Sequence, residues 1–132
     1  MHTTPDVLVR RVIEEAWNRG RLEVIDDTVA PGYTRRVPGD VLRGPDAFKA
    51  RIHATRLGLP DFTTRIAALV VDGDEGVVVW AASGTHHGPL FGLQPSGRRL
   101  GWSGMTRFRC EAGWLVEEWE LFDRAELLAQ LE

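Results

Sequence analysis

An α+β architecture is predicted by one change of period along the chain. Apolar residues recur at helical spacing up to Leu57, then at every second position from Phe62 to Phe122. The strands of the second part follow one another through short turns. They therefore form a curved antiparallel meander with the N-terminal helices packed on one face. A long sheet covered by short helices has a further consequence: where the sheet curls away, a cone-shaped space opens beneath it. The 132 residues (1–132) are expected to make one domain.

Each element has its own signal. In "TTPDVLVRRVIEEAWNRG", Pro5 suits a first helical position, Leu8, Val12, Ile13, Ala16 and Trp17 share one face, and Gly20 is a stop. "RLEVIDDTVA" predicts a shorter helix carrying Leu22, Ile25 and Val29. The stretch "PGYTRRVPGDVLRG" is turn-rich and is expected to be irregular. A third helix runs from Pro45 to about Leu57, with Phe48 and Ile52 one turn apart, and Gly58 and Pro60 end it. "FTTRIAALVV", "VVVWAASGTHH", "RRLGWSGMTRFRC" and "WLVEEWELF" are four strands. "DGDEG" and "EAG" supply hairpin turns, and "DRAELLAQLE" closes the chain as a short helix.

Composition narrows the function classes. The chain is 43% hydrophobic and 27% charged, as ordinary globular proteins are. Its net charge of −3 argues against a nucleic-acid partner. No apolar run reaches the roughly 20 residues of a membrane span, and no export signal is visible. The lone Cys110 leaves no internal disulfide and fits a reducing cytoplasm, the expected location. No dinucleotide, P-loop or nucleophile-elbow motif is present. His86 and His87 point to opposite faces of a strand and cannot grip one metal, so no metal, dinucleotide or nucleotide is expected.

Strict alternation sorts the last strand into two faces. Leu115, Glu117, Trp119, Leu121 and Asp123 share one, and this mixture of apolar surface and carboxylates is expected to face a ligand pocket. Val78, Trp80, Ala82, Gly84 and His86 share a face of the second strand. Trp114, Val116 and Phe122 then point outward, which predicts a homodimer through the sheet. Asp123 admits two readings. With Glu126 three residues on, it is a capping-box start to the final helix; it is also a carboxylate at a pocket edge, where a general base would sit. An inward Arg36 would suit an anionic or phenolate group.

The blocks "AWNRGRLEVIDDTVAPGY", "SGTHHGPLFGLQPSGRRL" and "GWLVEEWELFDRAELLAQL" resemble the SnoaL-like polyketide cyclases of the NTF2-like superfamily. The resemblance implies a conical barrel around a deep hydrophobic pocket, a homodimer or homotetramer, and an intramolecular aldol ring closure on a polycyclic polyketide without cofactor. It puts the general acid/base on Asp123 and an enolate-stabilising role on His86. Trp17, Tyr33, Trp80, Trp102 and Trp119 would be aromatic walls for a planar substrate. Arg36, Glu117 and Leu121 would complete the substrate contacts, and the loop 88–97, with Leu90 and Phe91, would form the mouth. Where cyclases of this type often carry a histidine, Leu121 stands. Some members are hydroxylases, and a non-catalytic binding protein is the alternative of a different class.

Overall fold

The computed structural model of the chain describes residues 3–90 and 92–131, so Phe91 lies outside the described residues. The chain runs α1 (Pro5–Arg11), a π-helical continuation (Val12–Trp17), α2 (Glu23–Thr28), β1 (Val29–Val37) and β2 (Asp40–Arg43). It goes on through α3 (Gly44–Gly58), β3 (Thr63–Asp72), β4 (Glu75–Thr85), β5 (Arg99–Glu111), β6 (Trp114–Phe122) and α4 (Arg124–Ala129). One curved, open six-stranded sheet has the order β2-β1-β6-β5-β4-β3. The α+β class and the order of elements from α3 onward are those the periodicity predicts.

Local chemistry accounts for most boundaries. Thr4 is extended and Pro5 opens α1, where its missing N–H and fixed φ cost nothing. Gly20, at φ +71°, stops the helix. Phe48 and Ile52 of α3 are fully buried, one turn apart. The β3–β4 hairpin turns at Gly73, and the β5–β6 hairpin at Ala112 and Gly113, both with positive φ, the backbone twist that two-residue hairpins require. Gly58 is needed where α3 meets the loop after β4. His87 and Gly88 both donate their N–H to its carbonyl at 3.0 Å, and a Cβ there would lie 2.8 Å from the Pro89 oxygen.

Two expectations are corrected. The stretch 31–43 is not irregular: it forms the β1–β2 hairpin, turning at Pro38-Gly39 with Gly39 at φ +81°. Its signal is masked because the buried alternation is Tyr33, Arg35, Val37, with an arginine where an apolar residue would announce a strand. β1 also pairs with β6 in parallel, so only β3–β6 form the expected meander. The second correction concerns the phase of β6. Arg109 pairs with Glu117 but Cys110 pairs with Leu115, which leaves Val116 as the extra residue of a β-bulge. A bulge inverts the alternation beyond it. Leu115 is buried, and past Val116 the inward residues are Glu118, Glu120 and Phe122. Glu117, Trp119 and Leu121 face outward instead, and Leu121 is 69% exposed.

Close approach at the sheet centre depends on one glycine. Gly104 pairs with Trp80 on one side and Phe122 on the other, and a Cβ there would lie 2.5 Å from Trp80 Cζ2. Gly104→Ala is therefore expected to lower stability by about 1–3 kcal/mol through overpacking, as measured by urea denaturation. Gly101→Ala, where the nearest atom would be Ala82 O at 3.9 Å, should stay within about 0.5 kcal/mol of the parent.

Candidate functional site

The helices and the concave face of the sheet enclose a cavity of about 80 Å³. A second, outer chamber of about 480 Å³ adjoins it, and Arg51, Thr55, Leu90 and Phe122 line both. Trp17, Phe62, Trp80, Trp102 and Phe122 line the inner cavity as aromatic walls. Trp17 and Phe62 stand 5.6 Å apart between centroids, Phe62 and Trp102 6.1 Å, and Trp80 and Phe122 6.2 Å. These are the separations of tilted and edge-to-face ring pairs.

The π-helical turn brings Val12, Ile13 and Trp17 to the same cavity; such turns are frequent at functional sites. Arg56 holds the end of that turn, donating from Nη1 to the carbonyls of Trp17 at 2.7 Å and Asn18 at 3.0 Å. Asn18 in turn exchanges two hydrogen bonds of 2.8 Å with the backbone of Thr64 on β3. The Trp80 indole donates to Thr106 Oγ1 at 3.0 Å, so its one polar atom is satisfied inside an apolar wall.

Part of the lining is ionic. Arg35 of β1 is buried, and its Cα partner across the parallel ladder is Glu118 of β6. Its Nη1 lies 3.0 Å from Glu118 Oε1, its Nη2 donates to Glu120 Oε1 at 2.8 Å, and its guanidinium lies 4.7 Å from the Phe48 ring centroid. The Tyr33 hydroxyl donates to Glu118 Oε1 at 2.7 Å. Burial pushes the Glu118 carboxyl above its ordinary value, against the lowering pull of Arg35 and of the Tyr33 hydroxyl. Burial also pushes the Tyr33 phenol well up, and the Glu118 charge adds to this. Burial works against the Arg35 charge, but Glu120, Tyr33 and Glu118 outweigh it and keep the guanidinium protonated.

Of the residues singled out from sequence, Trp17, Trp80 and Trp102 line the cavity, and Tyr33 anchors its ionic wall. Leu90, expected to be exposed at the mouth, is buried and lines both chambers. His86 lies just past the end of β4, fully buried and not among the residues that line the cavity. Its Nδ1 accepts from the Ser96 N–H at 3.2 Å and lies 2.9 Å from Ser96 Oγ, while its buried Nε2 has no partner among the described residues.

Asp123 is the N-cap of α4, exposed, with Oδ1 accepting from the Glu126 N–H at 3.0 Å. Arg36, Glu117, Trp119 and Leu121 are brought together on the outer face, not in the cavity. There the Trp119 ring lies 4.7 Å from the Arg107 guanidinium and 6.0 Å from that of Arg36, and Glu117 Oε1 lies 3.8 Å from Arg109 Nε. Arg35, Glu118 and Glu120 were not singled out. Parity holds the missed signal for Arg35: if 29–37 is a strand, Tyr33 and Arg36 cannot share a face, whereas Tyr33 and Arg35 must. Nothing local to β6 betrays the bulge that turns Glu118 and Glu120 inward.

Residues 7–131 match the family model described as SnoaL-like polyketide cyclase. TsrD of Streptomyces laurentii is 30% identical, with a TM-score of 0.85 over 96% of this chain and 92% of that one. IdmH of Streptomyces antibioticus, described as a candidate polyketide cyclase, is 26% identical, with a TM-score of 0.82 over 96% of this chain and 97% of that one. AclR of Streptomyces galilaeus, described as a candidate hydroxylase, is 24% identical, with a TM-score of 0.83 over 96% of this chain and 80% of that one. The shared architecture is the NTF2-like fold. No curated protein matches the chain in sequence.

Removing Arg35 leaves Glu118 and Glu120 without the cation that bonds them both. Arg35→Met is expected to cost about 3–5 kcal/mol at pH 7, the range for breaking a buried ion pair. The loss should shrink as the pH falls. A carboxyl whose folded pKa is raised, as Glu118's is by burial, favours the folded state most when protonated and loses that contribution as the pH rises through the folded value. Urea titrations at pH 5 and pH 8 read the difference.

Proposed function

Because this chain belongs to the SnoaL-like polyketide cyclase family, we propose that it is an enzyme that closes a ring in a flat, unsaturated polyketide-like molecule. The reaction would proceed by proton transfer and an intramolecular aldol step. The observation that carries this reading is the mixed lining of the cavity, five aromatic side chains together with a Glu118–Arg35–Glu120 cluster. Stacking suits a planar substrate, and a carboxylate in a mostly apolar cavity suits abstraction of a proton from carbon. Such a ring closure is an isomerisation: the atoms are conserved and no oxidant is consumed. The 80 Å³ inner cavity exceeds the roughly 10–15 Å³ one water needs but cannot hold a polycyclic molecule whole. The reacting end would therefore lie inside and the remainder in the outer chamber.

A flat tricyclic probe, 1,8-dihydroxyanthraquinone, is expected to quench the tryptophan fluorescence saturably. Trp102→Ala should weaken its binding about tenfold, which corresponds to the loss of one aromatic contact. Absence of quenching would sink the cavity reading. An oxygen electrode run with a polycyclic β-ketoester separates ring closure, which leaves oxygen untouched, from the hydroxylation that the description of AclR suggests.

We also infer that two copies pair through the outer sheet face. Ala68, Val79, Met105 and Leu121 are successive Cα partners across four strands, forming one apolar row in which Met105 is 49% and Leu121 69% exposed. Trp114 belongs to this exposed surface, but Phe122 does not, because it faces the cavity. Light scattering should return about twice the 14.8 kDa of one chain, and Leu121→Glu should return it to one. A monomeric parent protein would end the inference.

A further inference from the structure

The Glu118–Arg35–Glu120 cluster holds more acid than its own guanidinium balances, and Arg51, the other arginine of the cavity lining, lies 3.5 Å from Asp40 Oδ2. Glu118 and Glu120 enter the cavity from the same face of β6, and Arg35 bonds both. Within the cluster two carboxylates share one guanidinium. The two carboxylates are not equivalent. Glu118 is enclosed, and its Oε1 is held by both Tyr33 and Arg35. Glu120 is held at Oε1 by Arg35 alone, retains 15% side-chain exposure, and has no bond to Oε2 from the described residues. One oxygen of Glu120 is thus fixed, while the other takes no bond from the described residues in a cavity that aromatic side chains also line. Asp123, by contrast, is a surface cap with Oδ1 committed to Glu126.

We propose that Glu120 is the catalytic residue that takes and returns the proton in the ring closure inferred above, with Arg35, Glu118 and Tyr33 holding it in place. The assignment rests on that reading. Glu120 Oε2 accepts the proton of a C–H flanked by carbonyls, and the C–H electron pair becomes an enolate. The enolate carbon bonds to a second carbonyl carbon of the same molecule. The π pair of that carbonyl moves to its oxygen, which takes the proton back from Glu120. One C–C bond forms, one C=O becomes C–OH, and the carboxylate is regenerated with nothing supplied from outside.

The probe for the test is 5-nitrobenzisoxazole, a flat bicyclic carbon acid. A base takes its C3 proton, the N–O bond breaks, and a coloured phenolate appears. The wild-type chain should open it faster than an equal concentration of acetate at the same pH. Glu120→Gln, an isostere that still accepts from Arg35, should lower that rate by at least about 10²-fold while still binding the anthraquinone. Glu120→Asp, which withdraws the carboxylate by one methylene, should fall at least about tenfold but stay above the Gln variant. Asp123→Asn, which preserves the cap, should stay within about twofold of wild type. A Glu120→Gln variant as fast as wild type overturns the proposal, and so does loss of the rate in Asp123→Asn. Were Glu120→Gln not to fold, an unchanged rate in Glu120→Asp would do the same. The two readings fail separately. Dye binding with probe opening no faster than in acetate removes Glu120 and leaves the cavity reading intact. Glu120-dependent opening without dye binding does the reverse.

Discussion

A buried guanidinium organises this molecule. Arg35 on β1 and Glu118 on β6 are Cα partners across the sheet's parallel ladder, and that ladder is what joins the β1–β2 hairpin to the other strands. Ionised groups taken from water are costly unless paired and hydrogen-bonded. Each strand must therefore present these side chains at one height and to one face. Tyr33, two residues before Arg35 and stacked on Phe48 at 5.4 Å, completes the set by donating to Glu118. The ion pair is weak grounds for overall stability, since its burial is costly. What it fixes is register.

That register in turn shapes the cavity. The extra residue at Val116 allows Leu115 to enter the core while Glu118, Glu120 and Phe122 enter the site. Without it, one strand could not serve both the apolar core near its start and the polar wall further along. On the other side, the π-helical turn places Val12, Ile13 and Trp17 around the same space. A widened helical turn and a bulged strand thus both line the cavity. Both depart from regular geometry, and both aim side chains that regular geometry would send elsewhere.

The residues outside this arrangement have their own physical accounts. His86 and Ser96 tie the end of β4 to the far side of the loop: the His86 N–H donates to Arg98 O, and the Gly97 N–H to His86 O, at 2.9 and 2.8 Å. Gly58 receives the near side of that loop, so Leu90 is pressed inward and becomes part of the wall. Asp123 ends β6 and starts α4, whose Leu127 is fully buried. A capping carboxylate there fixes where the last helix leaves the sheet.

Much of this was legible in the sequence because it is local. Helical spacing from Leu8 to Trp17, period two from Phe62, the turn glycines and the Asp123–Glu126 cap are properties of neighbouring residues, and they determined the helices, the strands β3–β6 and the fold class. The blocks "SGTHHGPLFGLQPSGRRL" and "GWLVEEWELFDRAELLAQL" pointed to the family from the same linear information. Tertiary structure alone decided which face each strand shows to the cavity. A strand's two faces differ by one residue, so a single inserted position at Val116 exchanges Glu117, Trp119 and Leu121 for Glu118, Glu120 and Phe122. That insertion exists only in the pairing of β6 with β5, and Arg35 gains its meaning only in the pairing of β6 with β1. Both are relations between distant segments, and neither leaves a mark in the local pattern.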